Sequence, residues 1–297
     1  IFRGFVRRWA PHALLFTEMV NANSLELGHG QRKVEEIVKE AGPVGVQLFG
    51  HQPKVMAEAA KRAQAAGAFL IDINMGCPAR KIARKGGGSG LIRDPYLASK
   101  IVETVADAIQ IPLTVKTRLG WCTNSSDPAN FALMLQESGA QMITLHGRTK
   151  EQGFTGKANW KAIAKVKEVL TIPVIANGDI NNIEDAYKCI NLTGADGVMI
   201  GRGSLGAPWL VGQIDSALNG RPSISTPDVR ARLILAREHL QALLETKGNH
   251  GLLIARKHMS WSCKDFQGAS LLRNSLLKAK TPTEALMLLN NKINQMN

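Results

Sequence analysis

The chain has 297 residues, 44% of them hydrophobic, a net charge of +13, and 28 Gly and 12 Pro. That is enough for one large α/β domain and a smaller appendage, and it excludes a disordered or collagen-like chain. No apolar run reaches the roughly eighteen residues that cross a bilayer, and residues 1–8 lack the layout of a signal peptide, so a cytoplasmic protein is expected. The four cysteines, Cys77, Cys122, Cys189 and Cys263, form no CxxC pair. They suggest neither a disulfide framework nor a metal site, and no metal is expected.

In chain order, short apolar runs at 14–16, 44–48, 69–73, 113–115, 142–145, 174–176 and 197–200 read as strands. Amphipathic helical stretches separate them, such as 55–66 ahead of Gly67 and 95–108 ahead of an Ile-Pro pair. Alternation at roughly 25 to 40 residues predicts parallel strands with helical crossovers. Nearly every run ends in a residue suited to chemistry: Glu18, Gln47, Asn74, Lys116, His146, Asn177 and Gly201. Delivery of a polar residue by each strand favours a closed (β/α)8 TIM barrel over an open doubly wound sheet. Seven strands are visible, so the first barrel strand is expected before Ile1 or in a run too weak to read as a strand.

The segment NGRPSISTP at 219–227 reads as a linker, with Thr226 as N-cap and Pro227 as first helical residue. A C-terminal helical domain is predicted after it. Leu233, Ala236, Leu240, Leu243 and Leu244 form one face of its first helix, Gly248 ends that helix, and two or three more follow. The expected division is a catalytic barrel at 1–219, a linker at 220–227 and a helical domain at 228–297. From Arg221 onward there are twelve Lys or Arg against five Asp or Glu, so the basic excess sits in this tail and points to a polyanionic partner.

Several strand ends carry candidate chemistry. IDINMGCP at 71–78 releases a buried strand into a turn that bears Cys77, a thiol that is mostly protonated near neutrality and able to donate a proton. KGGGSGLIRDP at 85–95 matches neither a P-loop nor GxGxxG and reads as a flexible loop over the site. VKTRLGW at 115–121 brings Lys116 to the mouth, where a fixed cation stabilises an anion. TLHGRT at 144–149 supplies His146, Arg148 and Thr149. PVIANGDI and GVMIGRG place Asn177, Gly178, Asp179, Gly201 and Arg202 after the last two strands, where barrels commonly bind phosphate.

Together with EMV at Glu18, VQLFG around Gln47 and ARKHMSW from Ala255, these strings stand in the order of the tRNA-dihydrouridine synthases, which the chain resembles along its whole length. It looks most like their bacterial B-type branch. The resemblance implies an FMN enzyme that takes electrons from NADPH and reduces uridines in tRNA, with Cys77 as the catalytic acid. It implies FMN contacts from Gln47, Lys116, His146, Asn177, Gly178, Asp179, Gly201 and Arg202. Asn74, Arg148 and Thr149 would face the substrate, and a monomer is expected. One departure stands out: the family opens with a proline-methionine-alanine strand end that touches the flavin, and this chain starts after it. The rival expectations are an FMN barrel oxidoreductase on a free pyrimidine, such as a dihydroorotate dehydrogenase, and a non-catalytic tRNA-binding protein.

Overall fold

The computed structural model describes residues 1–123 and 127–296. The Cα packing separates two compact units, Leu14–Gly201 and a second that joins Ile1–Ala13 to Arg202–Asn297. The expected functional boundary at 219–228 lies within the second unit.

The elements begin with α1 (Phe2–Arg7), then β1 (Leu15–Phe16), β2 (Val20–Asn21), α2 (Ala22–Glu26), α3 (Gln31–Val38), β3 (Val44–Phe49) and α4 (Pro53–Ala65). They continue with β4 (Leu70–Asn74), α5 (Arg80–Ala83), α6 (Pro95–Ala106), β5 (Leu113–Arg118), α7 (Pro128–Glu137), β6 (Met142–His146) and α8 (Trp160–Val169). β7 (Val174–Asn177), α9 (Ile183–Thr193) and β8 (Gly197–Met199) complete the first unit. All pairings are parallel, in the order β1, β3, β4, β5, β6, β7, β8, with β2 also against β3. β1 and β2 lie along the same edge of β3, at Val44–Gly45 and at Leu48–Phe49, so they are two pieces of one strand position. The sheet therefore offers seven strand positions curled with helices outside, as the seven apolar runs predict.

Period-two alternation divides each strand between two environments. On β4, Ile71 and Ile73 are fully buried among apolar neighbours such as Met56, Ala60, Ile101 and Val105 of the helical layer, while Asp72 and Asn74 share the opposite face. Helix starts are fixed locally. Asp94, Asp127, Asn159 and Asn182 each accept a backbone N–H from their own first turn, and Pro95 and Pro128 occupy the first helical position.

In the second unit, α10 (Trp209–Leu218), α11 (Val229–Lys247), α12 (His250–Ser262), α13 (Ala269–Lys278) and α14 (Pro282–Asn294) follow. Leu233, Leu240, Leu252, Met259, Leu276 and Leu289 form its apolar core, and Leu244 packs partly buried against it. Gly248 closes α11 with its N–H on the Leu244 carbonyl. The predicted start of α11 is corrected: Asp228, not Thr226, is the N-cap, accepting the Ala231 N–H at 2.7 Å. The Thr226 hydroxyl is occupied as acceptor for Gln213 Nε2 at 2.9 Å, and Pro227 precedes the helix. Among the described residues, no helix is long and apolar enough to cross a membrane.

Candidate active site

Parallel register carries the polar face across neighbouring strands: Gln47 lies beside Asp72, Asp72 beside Thr114, Asn74 beside Lys116, Arg118 beside His146, and His146 beside Asn177. The structure thus gathers Gln47, Asn74, Lys116, His146 and Asn177 at the C-terminal ends of five adjacent strands. Their side chains are coupled. Gln47 Nε2 donates to Asp72 Oδ2 at 2.6 Å, Asn74 Nδ2 to Gln47 Oε1 at 2.9 Å, Lys116 Nζ to Asn177 Oδ1 at 3.1 Å, and Asn177 Nδ2 to the Met199 carbonyl at 2.8 Å.

Cys77 sits in the turn that leaves β4. Asn74 Oδ1 accepts the Gly76 and Cys77 backbone N–H groups at 3.1 and 2.9 Å, so the last residue of the strand shapes the turn. Arg118 donates from Nε to the Gly76 carbonyl at 2.7 Å and closes the turn from β5. Gly88 has φ of +54°, and a Cβ there would meet the Cys77 Cβ at 3.0 Å, so only glycine lets the next loop approach the thiol. Cys77 is half-buried, whereas Cys189 and Cys263 are fully buried, and burial pushes their thiols up to about 12 and about 11.

The glycine-rich segment is not an open flap. A 3-10 helix spans Gly88–Arg93, Ser89 and Leu91 are fully buried, and the Ser89 N–H is spent on the Cys77 carbonyl at 3.1 Å. Its glycines serve close packing against Gly50 and Ala83 rather than mobility. The expectation of a flexible cover is therefore set aside.

The electrostatics of the strand ends follow from desolvation. Lys116 keeps partial solvent access, yet the protein crowding its ammonium lowers its pKa to about 8; Asp72 opposes that shift and Arg118 adds to it. Burial raises the Asp72 carboxyl, against the bonds from Thr114 and Gln47 and the charge of Lys116. His146 is lowered to about 3, first by burial and then by Arg118, Lys116 and Arg148. Its imidazole is neutral at physiological pH and can act only as a neutral hydrogen-bonding group.

Arg148 and Thr149 are buried in the wall. Arg148 Nη2 donates to both oxygens of Asp179 at 2.8 Å and to the Gly156 carbonyl at 2.6 Å, and its Nε to the Thr155 carbonyl at 3.1 Å. Asp179, in the left-handed region at φ of +57°, also accepts the Ala158 N–H at 2.7 Å. Thr149 Oγ1 accepts the Gln152 N–H at 3.3 Å, and its carbonyl takes Arg118 Nη1 at 3.0 Å. This clamp fixes the loops after β6 and β7. Gly178 between them has φ of +118°, and a Cβ there would meet Ala158 Cβ at 2.9 Å and His146 Cδ2 at 3.0 Å. At Gly201 a Cβ would meet nothing within 4 Å. Arg202 is exposed and opens the 3-10 turn Arg202–Ser204. Asp72, fully buried, was not among the sequence candidates; its signal was a carboxylate on the same strand parity as Asn74.

Parallel strands that deliver polar side chains and a half-buried thiol to their C-terminal ends define an α/β enzyme of the barrel class. The family model described as dihydrouridine synthase matches residues 1–297. A probable tRNA-dihydrouridine synthase 1 of Synechocystis sp. is 51% identical over 293 residues, spanning 99% of this chain and 82% of the relative. The tRNA-dihydrouridine synthase B of Xanthomonas axonopodis pv. citri is 38% identical, spanning 87% of this chain and 79% of the relative. The chain belongs to the dihydrouridine synthase family and is an oxidoreductase. Among solved structures, histamine dehydrogenase from Rhizobium sp. 4-9 shares the fold, with a TM-score of 0.56 at 14% identity over 74% of this chain and 43% of that one.

Proposed function

We propose that this protein reduces the 5,6 double bond of particular uridines in tRNA to dihydrouridine, with FMN as bound cofactor, NADPH as electron donor and Cys77 as general acid. The observation that carries the reading is the half-buried Cys77 thiol in a turn pinned by Asn74 and Arg118, with the Lys116 ammonium on the adjoining strand. Reduction across a conjugated double bond needs a hydride at one carbon and a proton at its neighbour; a neutral thiol supplies the second.

The residues present fit a flavin mononucleotide. Lys116 spends one described hydrogen bond on Asn177, leaving N–H capacity for a ring carbonyl or an anion. Gln47, His146, Asn177 and Gly178 would hold the ring side. Asp179, through the Arg148 clamp, would shape the phosphate side, and the open backbone at Gly201 with the Arg202 charge would take the phosphate. When bound and reduced, FMN supplies the hydride to carbon 6 of the uracil. Cys77 donates its proton to carbon 5, and the fixed Lys116 charge favours the anionic reduced flavin. Asn74, Arg148 and Thr149 act on the substrate side by shaping the loops against which the base docks.

The helical residues 228–297, after a linker at 220–227, bind tRNA, and the barrel at 1–219 carries the reaction. Exposed Lys247, Lys257, Lys264, Lys278 and Lys280 provide phosphate contacts. The protein acts as a cytoplasmic monomer with no metal. The test is purified FMN-loaded protein with unmodified tRNA and NADPH: a uridine that gains two hydrogens by mass supports the reading. Flavin that bleaches with NADPH but is not reoxidised by tRNA, and is reoxidised by a free pyrimidine, overturns it.

A further inference from the structure

We propose that Asp72, which has no part in the chemistry assigned above, is a positioning residue for Cys77: its carboxylate sets the direction of the Gln47 and Asn74 amides and thereby the turn that carries the thiol. This inference rests on the reading of Cys77 as the acid.

Asp72 is fully buried on β4. Thr114 Oγ1 donates to its Oδ1 at 2.7 Å and Gln47 Nε2 to its Oδ2 at 2.6 Å. An ionised carboxylate only accepts, whereas a Gln or Asn amide accepts at one end and donates at the other, and can turn over. Facing the carboxylate, Gln47 must present its NH2, which leaves Oε1 on the far side for Asn74 Nδ2 at 2.9 Å. With Nδ2 committed, Asn74 must present Oδ1 to the Gly76 and Cys77 N–H groups. The direction of the whole chain is thus decided at the one member that cannot reverse. Gln47 is also held through its backbone N–H, which donates to Thr17 Oγ1 at 3.0 Å, so the chain turns over by amide rotation rather than by strand movement.

An isosteric Asp72→Asn removes that decision. Asn at 72 can accept from Thr114 and donate to Gln47; Gln47 then reverses, Asn74 reverses after it, and an NH2 faces the two turn N–H groups. Donor meets donor, and the turn loses both acceptors. A residue that served only as buried polar filling would lose stability without this directional effect. A paired change separates the two. Asp72→Asn combined with Asn74→Asp runs the chain backwards with every group satisfied, since the carboxylate now accepts from Gln47 and from the turn.

The experiment uses the FMN-loaded full chain and reads amide hydrogen exchange of the peptide covering 75–77, together with dihydrouridine formation. Asp72→Asn should speed exchange and lower kcat by about tenfold or more, with KM for tRNA within about twofold. The paired variant should return exchange to within about threefold of the parent protein. Parent-like exchange and kcat in Asp72→Asn, or a paired variant whose turn stays unprotected, overturns the proposal. If Asp72→Asn does not fold, the paired variant decides alone by the same exchange criterion. Failure of the underlying reading looks different: Cys77→Ala would keep its activity, whereas an inactive Cys77→Ala beside a parent-like Asp72→Asn sinks only the role of Asp72.

Discussion

The strand-end interior of Leu14–Gly201 and the helical core within Arg202–Asn297 bury opposite kinds of side chain. The first encloses Gln47, Asp72, Asn74, Thr114, Arg118, Thr144, His146 and Arg148, mostly tied by side-chain hydrogen bonds. The second encloses Leu233, Leu240, Leu252, Leu276 and Leu289, and exposes lysines. Buried polar groups cost desolvation that their bonds recover only in part, and buried leucine needs no such compensation. The helical unit is organised for stability and an outward-facing charge, whereas the strand ends keep costly groups where chemistry requires defined donors and acceptors.

The sharpest way to break that contrast is a cavity in the helical core. Leu240→Ala should cost about 2–5 kcal/mol, measured by denaturant unfolding, while leaving NADPH-dependent flavin reduction unchanged per folded molecule. An equal loss of flavin reduction would show that the two regions do not divide the work as described.

Lys116 sharpens the other side. Its folded pKa of about 8 lies below the ordinary 10.5, so between those values the unfolded chain holds a proton that the fold has shed, and this group's contribution to stability increases as pH rises. At pH 7 its charge is a burden on the fold. Lys116→Met should therefore lower uridine reduction by about a hundredfold, comparable to losing one preorganised electrostatic donor, without a matching fall in stability. In the parent protein, the rate should decline as pH rises through about 8, and that limb should vanish in Lys116→Met. An unchanged pH profile would detach the cation from the reaction.

A smaller effect is expected on the outer face of the tail. Lys257→Gln with Lys264→Gln should raise KM for tRNA and reduce the salt slope of binding by about one for each phosphate-facing charge removed, with kcat unchanged. A salt slope equal to the parent's would remove these lysines from the RNA interface.

Much of the barrel was legible because local signals and burial agreed. The run at 69–73 is β-branched, flanked by Gly67 and a glycine turn, and became β4; the Asp-Pro pairs at 94–95 and 127–128 became helix starts. Cys77 and Lys116 were legible as polar residues at strand ends. What escaped depends on neighbours distant in sequence. Thr226 and Asp228 are both good N-caps on either side of Pro227, and the choice was made by Gln213 engaging Thr226. The glycine run looked loose because nothing local shows that Ser89 packs against the Cys77 turn. Arg148 reads as a substrate cation until Asp179, 31 residues later, is seen to hold it. Asp72 was hidden inside an apolar strand, where only the identity of the cross-strand partners Gln47 and Thr114 gives a carboxylate meaning.

The central claim is that the thiol leaving β4 delivers the proton. The most direct measurement is a single turnover of reduced, FMN-loaded Cys77→Ala with unmodified tRNA. The flavin should bind and accept electrons from NADPH as in the parent protein, while dihydrouridine appears about 10²- to 10⁴-fold more slowly, the usual weight of a general acid. Dihydrouridine formed at the parent rate would contradict the account.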